Sequence, residues 1–182
     1  IKAGFVQELE AGLRLHPMTA EAIFKGYLEA CKVVVKSDLP CLPLRLQAEA
    51  CENVGLNTEL ARILETAQFS HEDPEAMLRW DTLAGGERGV QRSAGVGWSL
   101  WTLGREEEAL KLLFETAARP NLSPDDRLSI YKNMVWVLAQ KHDFAEAKKV
   151  ETLAEPYLTG ATLEGAGRFL NNLFLLYFEL GD

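Results

Sequence analysis

The chain is short of cysteine. It has three, Cys31, Cys41 and Cys51, an odd number with no close spacing. Such a set excludes a disulfide framework and leaves free thiols in a reducing cytosol as the expectation. The three histidines, His16, His71 and His142, stand in separate turns beside a proline, a glutamate and an aspartate. They lack metal-ligand spacing, so no metal is expected. No apolar run approaches the roughly 20 residues that cross a bilayer. The opening IKAGFVQELE has no charged-then-apolar leader pattern. Positive charge is scarce as well, with a net charge of −8. That argues against a surface built to grip phosphate backbones, so no direct nucleic-acid partner is expected. No segment alternates as a strand, and none is of low complexity. LAGGERGVQRSAGVG is glycine-rich, yet no strand precedes it and no GxxxxGK[ST] occurs. A helix break with close packing accounts for it better than an anion at the following helix N-terminus. No Ser/His/Asp or Cys/His set lies on a recognisable scaffold. The expectation is a cytoplasmic protein that is not an enzyme and carries no cofactor.

What the chain does have is helical periodicity. Residues 2–15 put Phe5, Leu9, Gly12 and Leu13 on one stripe, and His16-Pro17 ends it. Thr19 caps a second helix, which carries Ile23, Phe24, Tyr27, Leu28, Cys31 and Val34. A third helix, 43–54, turns Leu46, Ala50 and Val54 inward and stops at Gly55. Asn57 caps a fourth over 58–69, with Leu60, Ile63, Leu64 and Ala67 inward. Asp73-Pro74 opens a short helix, 74–84, with Met77, Leu78 and Trp80. Gly85-Gly86 leads into a long helix over 87–103, closed by Gly104. Glu106 to Glu108 begin the next, where the helix dipole favours carboxylates. Ser123-Pro124-Asp125-Asp126 starts a helix over 124–141. Asp143 and Glu146 suggest a capping box for 143–155, ended by Pro156. The last helix, about 162–180, holds Leu170, Leu173, Phe174 and Tyr177.

Two consecutive helix–turn–helix units fill 88–156, and Ala109 and Ala147 occupy equivalent places 38 residues apart. A helical hairpin recurring at such a period is the mark of a stacked repeat protein. The organisation expected is a leading hairpin at 1–40, a weak repeat at 41–73 and an inserted short helix at 74–87. Repeats at 88–123 and 124–160 follow, then a partial repeat at 161–182. The chain lacks an initial Met and stops at ELGD, where another turn is due, so a piece of a longer protein is expected.

Gly97, Leu100, Gly104 and Ala109 stand in the order that tetratricopeptide repeats use, and Leu138, Asp143 and Ala147 follow it in part. Phe174, Tyr177 and Gly181 fit the first helix of a further unit, and Cys51, Gly55 and Leu60 a weaker earlier one. The chain therefore resembles that family over 41–182. It departs from it in spacing. Ala22, Leu60, Ala109 and Ala147 are 38, 49 and 38 residues apart, whereas the family period is about 34. Longer, irregular periods resemble the repeat domains of large bacterial transcription activators.

The resemblance implies an all-α, right-handed superhelix of about ten helices whose first helices line a concave groove. On that register the groove carries Gln91, Trp98 and Trp101, then Lys132, Asn133 and Trp136, then Arg168, Asn171 and Asn172. It implies indole area from the tryptophans and amides for a peptide backbone. Lys132 and Arg168 would face an anion, in the manner of the family's carboxylate clamp. Burial of the tryptophans between helices is the competing reading. The function implied is a binding or scaffold module for a peptide or protein partner. Its alternative is the effector domain of a transcription regulator that senses a small inducer, with DNA held elsewhere. A homodimer through the exposed ends of the stack is a further possibility.

Overall fold

The computed structural model describes residues 6–9, 12–15, 17–39, 43–66 and 73–180, with side chains from Lys25 onward except those of 38, 179 and 180. Among these, strands β1 (Val6–Leu9) and β2 (Gly12–Leu15) pair antiparallel, Val6 opposite Leu15 and Leu9 opposite Gly12. Everything else regular is helix: α1 (Pro17–Asp38), α2 (Leu44–Val54), α3 (Asn57–Leu64), α4 (Pro74–Ala84) and α5 (Val90–Thr102). Then come α6 (Glu106–Ala117), α7 (Pro124–Gln140), α8 (Phe144–Leu158) and α9 (Leu163–Leu180). None of the described helices is long and apolar enough to cross a membrane.

The helix starts follow local chemistry. The Asp73 carboxylate accepts from the Ala76 N–H at 2.9 Å, and Ser123 Oγ accepts from the Asp126 N–H at 3.1 Å. Proline follows each cap, where its missing N–H costs nothing. The ends follow a common rule. α2, α5 and α7 each close on a left-handed residue: Gly55 (φ 69°), Gly104 (φ 74°) and His142 (φ 57°). In each case the next N–H reaches back over the last turn: Leu56 to Cys51, Arg105 to Leu100, Asp143 to Leu138. That bond satisfies a carbonyl the helix would otherwise leave unpaired. The three closures are 49 and 38 residues apart, the spacing of Leu60, Ala109 and Ala147.

Each helix from α1 to α7 packs on the next, α5 also meets α7 and α7 meets α9, and α8 touches α9 through the Tyr177 hydroxyl, which donates to Glu151. Two apolar clusters result. The first joins α2, α3 and α4 to Val96 and Leu100 of α5. The second joins α6 to α9 around Leu113, Leu128, Ile130, Met134, Val135 and Phe169. Ala109 and Ala147 are fully buried in the seams. At Gly97 a Cβ would stand 3.0 Å from Leu113 Cδ2, so glycine sets how closely α5 and α6 approach.

Several expectations are corrected. The leading helix over 2–15 is the β1–β2 hairpin in its described part. Gly12 weakens a helix there, and Leu13-Arg14-Leu15 alternates as a strand does. Pro17 begins α1, so Thr19 lies inside it. Tyr27 and Val34 point outward, and Leu28, Cys31 and Val35 make the contact. In α2 the buried set is Gln47, Ala48, Cys51 and Val54, with Leu46 exposed. Leu56, not Asn57, is the residue before α3, which ends at Leu64. Pro156 does not stop α8 but sits within it. Only half of its capping box forms: Asp143 accepts from the Glu146 N–H, while the Glu146 carboxylate takes Lys149. In α9 the buried stripe is Phe169, Leu173 and Leu176, and Leu170 and Phe174 face out. Cys41, Ala67, His16 and His71 lie outside the described residues. Cys51 is buried, Cys31 half-buried and both are free.

Candidate functional site

α5, α7 and α9 lie side by side, and one stripe of each shares a surface. On α7 the stripe is Ser129, Lys132, Asn133 and Trp136, at spacings of three, one and three that keep one helix face. α9 supplies Glu164, Arg168, Asn171 and Asn172, and α5 supplies Gln91 and Trp98.

The residues expected to hold an anion do converge. Lys132, Glu164, Arg168, Asn171 and Asn172 line one open hollow of about 430 Å³. Gln91, Asp126, Ser129, Lys132 and Arg168 line an adjoining, more enclosed one of about 250 Å³. The charges there are not equivalent. Arg168 is exposed and bonds Glu164 on its own helix at 2.5 Å. Lys132 is half-buried and has no hydrogen-bond or ion-pair partner among the described residues. Loss of water around its ammonium holds its pKa below the ordinary lysine value, and the Arg168 guanidinium pushes the same way.

The tryptophans also come together, but as a packed cluster. Trp98 and Trp101 have ring centroids 4.7 Å apart and tilted, and Trp98 stacks on Trp136 across α5 and α7 at 6.1 Å. All three are half-buried, and Trp101 leans on the first apolar cluster. The rings pack against one another, Trp98 and Trp136 across the α5–α7 seam, and none of the three is fully buried. The Trp136 Nε1 hydrogen is buried with no acceptor among the described residues. Asn133 and Asn172 are half-buried, and Asn171 is exposed.

Two carboxylates are spoken for in a way spacing could not show, one at this surface and one at the start of α5. Asp125 accepts from the Thr162 N–H at 3.2 Å and from its hydroxyl at 2.6 Å, closing the start of α9. Glu65, just past α3, accepts from the N–H groups of Gly89 at 2.6 Å and Arg92 at 3.2 Å. The sequence favours close packing over an anion at the head of the glycine-rich helix; the acceptor that sits there is the protein's own Glu65 carboxylate. Behind it lies a buried ion cluster. Arg92 Nε donates to Asp81 at 2.7 Å, and its other nitrogens donate to the carbonyls of Asp81 (2.7 Å) and Gly85 (2.9 Å). Arg88 grips the same carboxylate from the other side at 2.7 Å. No group of three or more His, Cys, Asp or Glu among the described residues is placed to hold a metal ion. Compared with known families, curated proteins and solved structures, the chain finds no match.

Proposed function

We propose that the chain is a binding module that takes an extended peptide or protein segment along the α5–α7–α9 face, without chemistry of its own. The observation that carries this is Lys132. A half-buried ammonium that makes no ion pair with the carboxylates lining its hollow costs stability, and an anionic partner in direct contact would offset that cost. Asn171, Asn172 and Gln91 surround it with amides suited to a backbone, and the Trp98–Trp136 stack offers flat apolar area further along. The left-handed closures at matching spacing, and contacts confined to near neighbours, support a right-handed stack of hairpins with this face inside. Its kinship with tetratricopeptide repeats is part of the same proposal.

A randomised peptide display library supplies the test. Enriched peptides should carry an acidic group, and Lys132→Ala and Trp98→Ala should weaken them at least tenfold in fluorescence anisotropy while helicity holds. Failure to enrich any peptide, or equal binding by both variants, would end the reading. The enclosed hollow of about 250 Å³ favours a second reading, a small anionic inducer sensed by a regulator's effector domain. A small ligand that raises the melting temperature of wild type but not of Lys132→Ala would select it.

A further inference from the structure

The outward flank of α9 carries a continuous apolar stripe that no described element covers. Leu163, Leu170, Phe174 and Phe178 are 92%, 49%, 65% and 72% exposed, and the two phenylalanine rings stack at 6.3 Å. Gly167 lies in the same stripe, and a Cβ there would meet nothing within 4 Å. From Leu163 to Phe178 the stripe holds no charged side chain; Glu164 and Arg168 lie on the adjoining flank, and Leu163 and Gly167 border the same hollow. Roughly 22 Å of helix is thus presented as an uncharged apolar ridge with a notch. Isolated exposed apolar residues are ordinary, but a contiguous row marks a contact surface.

We infer that this ridge is an isologous interface in which two copies of the chain pair α9 antiparallel to α9. The row is complementary to its own reverse. With the two-fold axis between Leu170 and Asn171, Leu163 of one copy meets Phe178 of the other, and Gly167 meets Phe174. The large ring then enters the notch the glycine leaves, twice per dimer, as two-fold symmetry requires. No like charges oppose each other along the contact. Four such side chains at these exposures present at most roughly 500–600 Å² per copy, which places the contact among weak, transient interfaces. The dimer is accordingly a weak, reversible one, and it abuts the Lys132 hollow through Leu163, Gly167 and Asn171.

Sedimentation equilibrium over about 1–200 μM reads this directly. Wild-type mass should rise from the 20.3 kDa of one chain to twice that and no further. Phe174→Asp should hold the single-chain mass at concentrations at least tenfold higher. Gly167→Phe adds apolar surface but fills the notch, so it too should weaken pairing at least tenfold. A single-chain mass throughout, growth beyond two chains, or tighter association of Gly167→Phe would each overturn the proposal. Far-ultraviolet circular dichroism of both variants should match wild type, because both positions face solvent.

Discussion

Removing the Asp81 carboxylate should be among the most damaging single changes in the chain. Asp81 is 4% exposed and Arg92 1%. In Asp81→Ala the Arg92 guanidinium keeps its bonds to the Asp81 and Gly85 carbonyls but loses its counter-charge while still excluded from water. Breaking a buried pair this way costs about 3–5 kcal/mol. Arg88 is more exposed and can turn to solvent, which places the expected loss near 3 kcal/mol. With a urea m-value of about 2 kcal/mol/M, the unfolding midpoint should fall by about 1.5 M. The melting temperature should fall by roughly 6–12 °C. The diagnostic is the second step. Arg92→Met added to Asp81→Ala removes the stranded cation and supplies apolar volume, so the double variant should recover about 1–2 kcal/mol. Urea titration followed by circular dichroism measures both. A loss under 1 kcal/mol in the single variant, or a double variant less stable than the single, would refute the argument.

Other outcomes follow from the same fold. His142→Gly should stabilise by about 0.5–1 kcal/mol, since a left-handed residue there costs little only for glycine; thermal unfolding reads it. Gly97→Val should cost about 2–3 kcal/mol by forcing Leu113 away and separating α5 from α6, measured by denaturant titration. Glu52 is held below the ordinary glutamate pKa, first by its bond to Arg79 and then, against the opposing effect of burial, by the Trp80 indole N–H. Its folded pKa lies below its unfolded one, so its contribution is full above the usual glutamate range and fades as pH falls through it toward the folded value. Glu52→Gln should flatten that acid limb and shift Trp80 fluorescence at neutral pH. Lys132 has the opposite sense for a base: its lowered pKa makes the charged form a cost below that pKa, and stability should rise as pH climbs through it. Lys132→Met should therefore stabilise slightly, by on the order of 0.5 kcal/mol once solvent screening of a half-buried group is allowed for, while losing the partner.

Much of the helical order was legible because its signals are local. Asp73-Pro74 and Ser123-Pro124 each combine a cap with a residue that only a first turn tolerates, and both open helices where expected. Gly55 and Gly104 mark ends for an equally local reason. The Lys132, Arg168, Asn171 and Asn172 grouping came from register, which α7 holds over its whole length. Register also explains the failures. Along α9, Phe169 and Leu170 are both apolar, and a rotation of 100° exchanges a buried stripe for an exposed one. α1 and α2 erred the same way at Tyr27, Val34 and Leu46. The Asp81–Arg92 pair and the Glu65 and Asp125 closures left no mark in the sequence. Their partners lie 11, 24 and 37 residues away across chain breaks in helicity, where only the fold decides who meets whom.

The borrowed closures couple neighbours in time as well as in space. α5 has no cap of its own, so its first turn is tied to whatever Glu65 does at the end of α3. When α3 frays, the Gly89 and Arg92 amides lose their acceptor in the same event, and exchange of those protons with solvent should follow the rhythm of α3 rather than that of α5's own middle. Asp125 binds the start of α9 to the first turn of α7 in the same manner. Each such bond therefore couples the opening of one hairpin to that of its neighbour, equally in both directions.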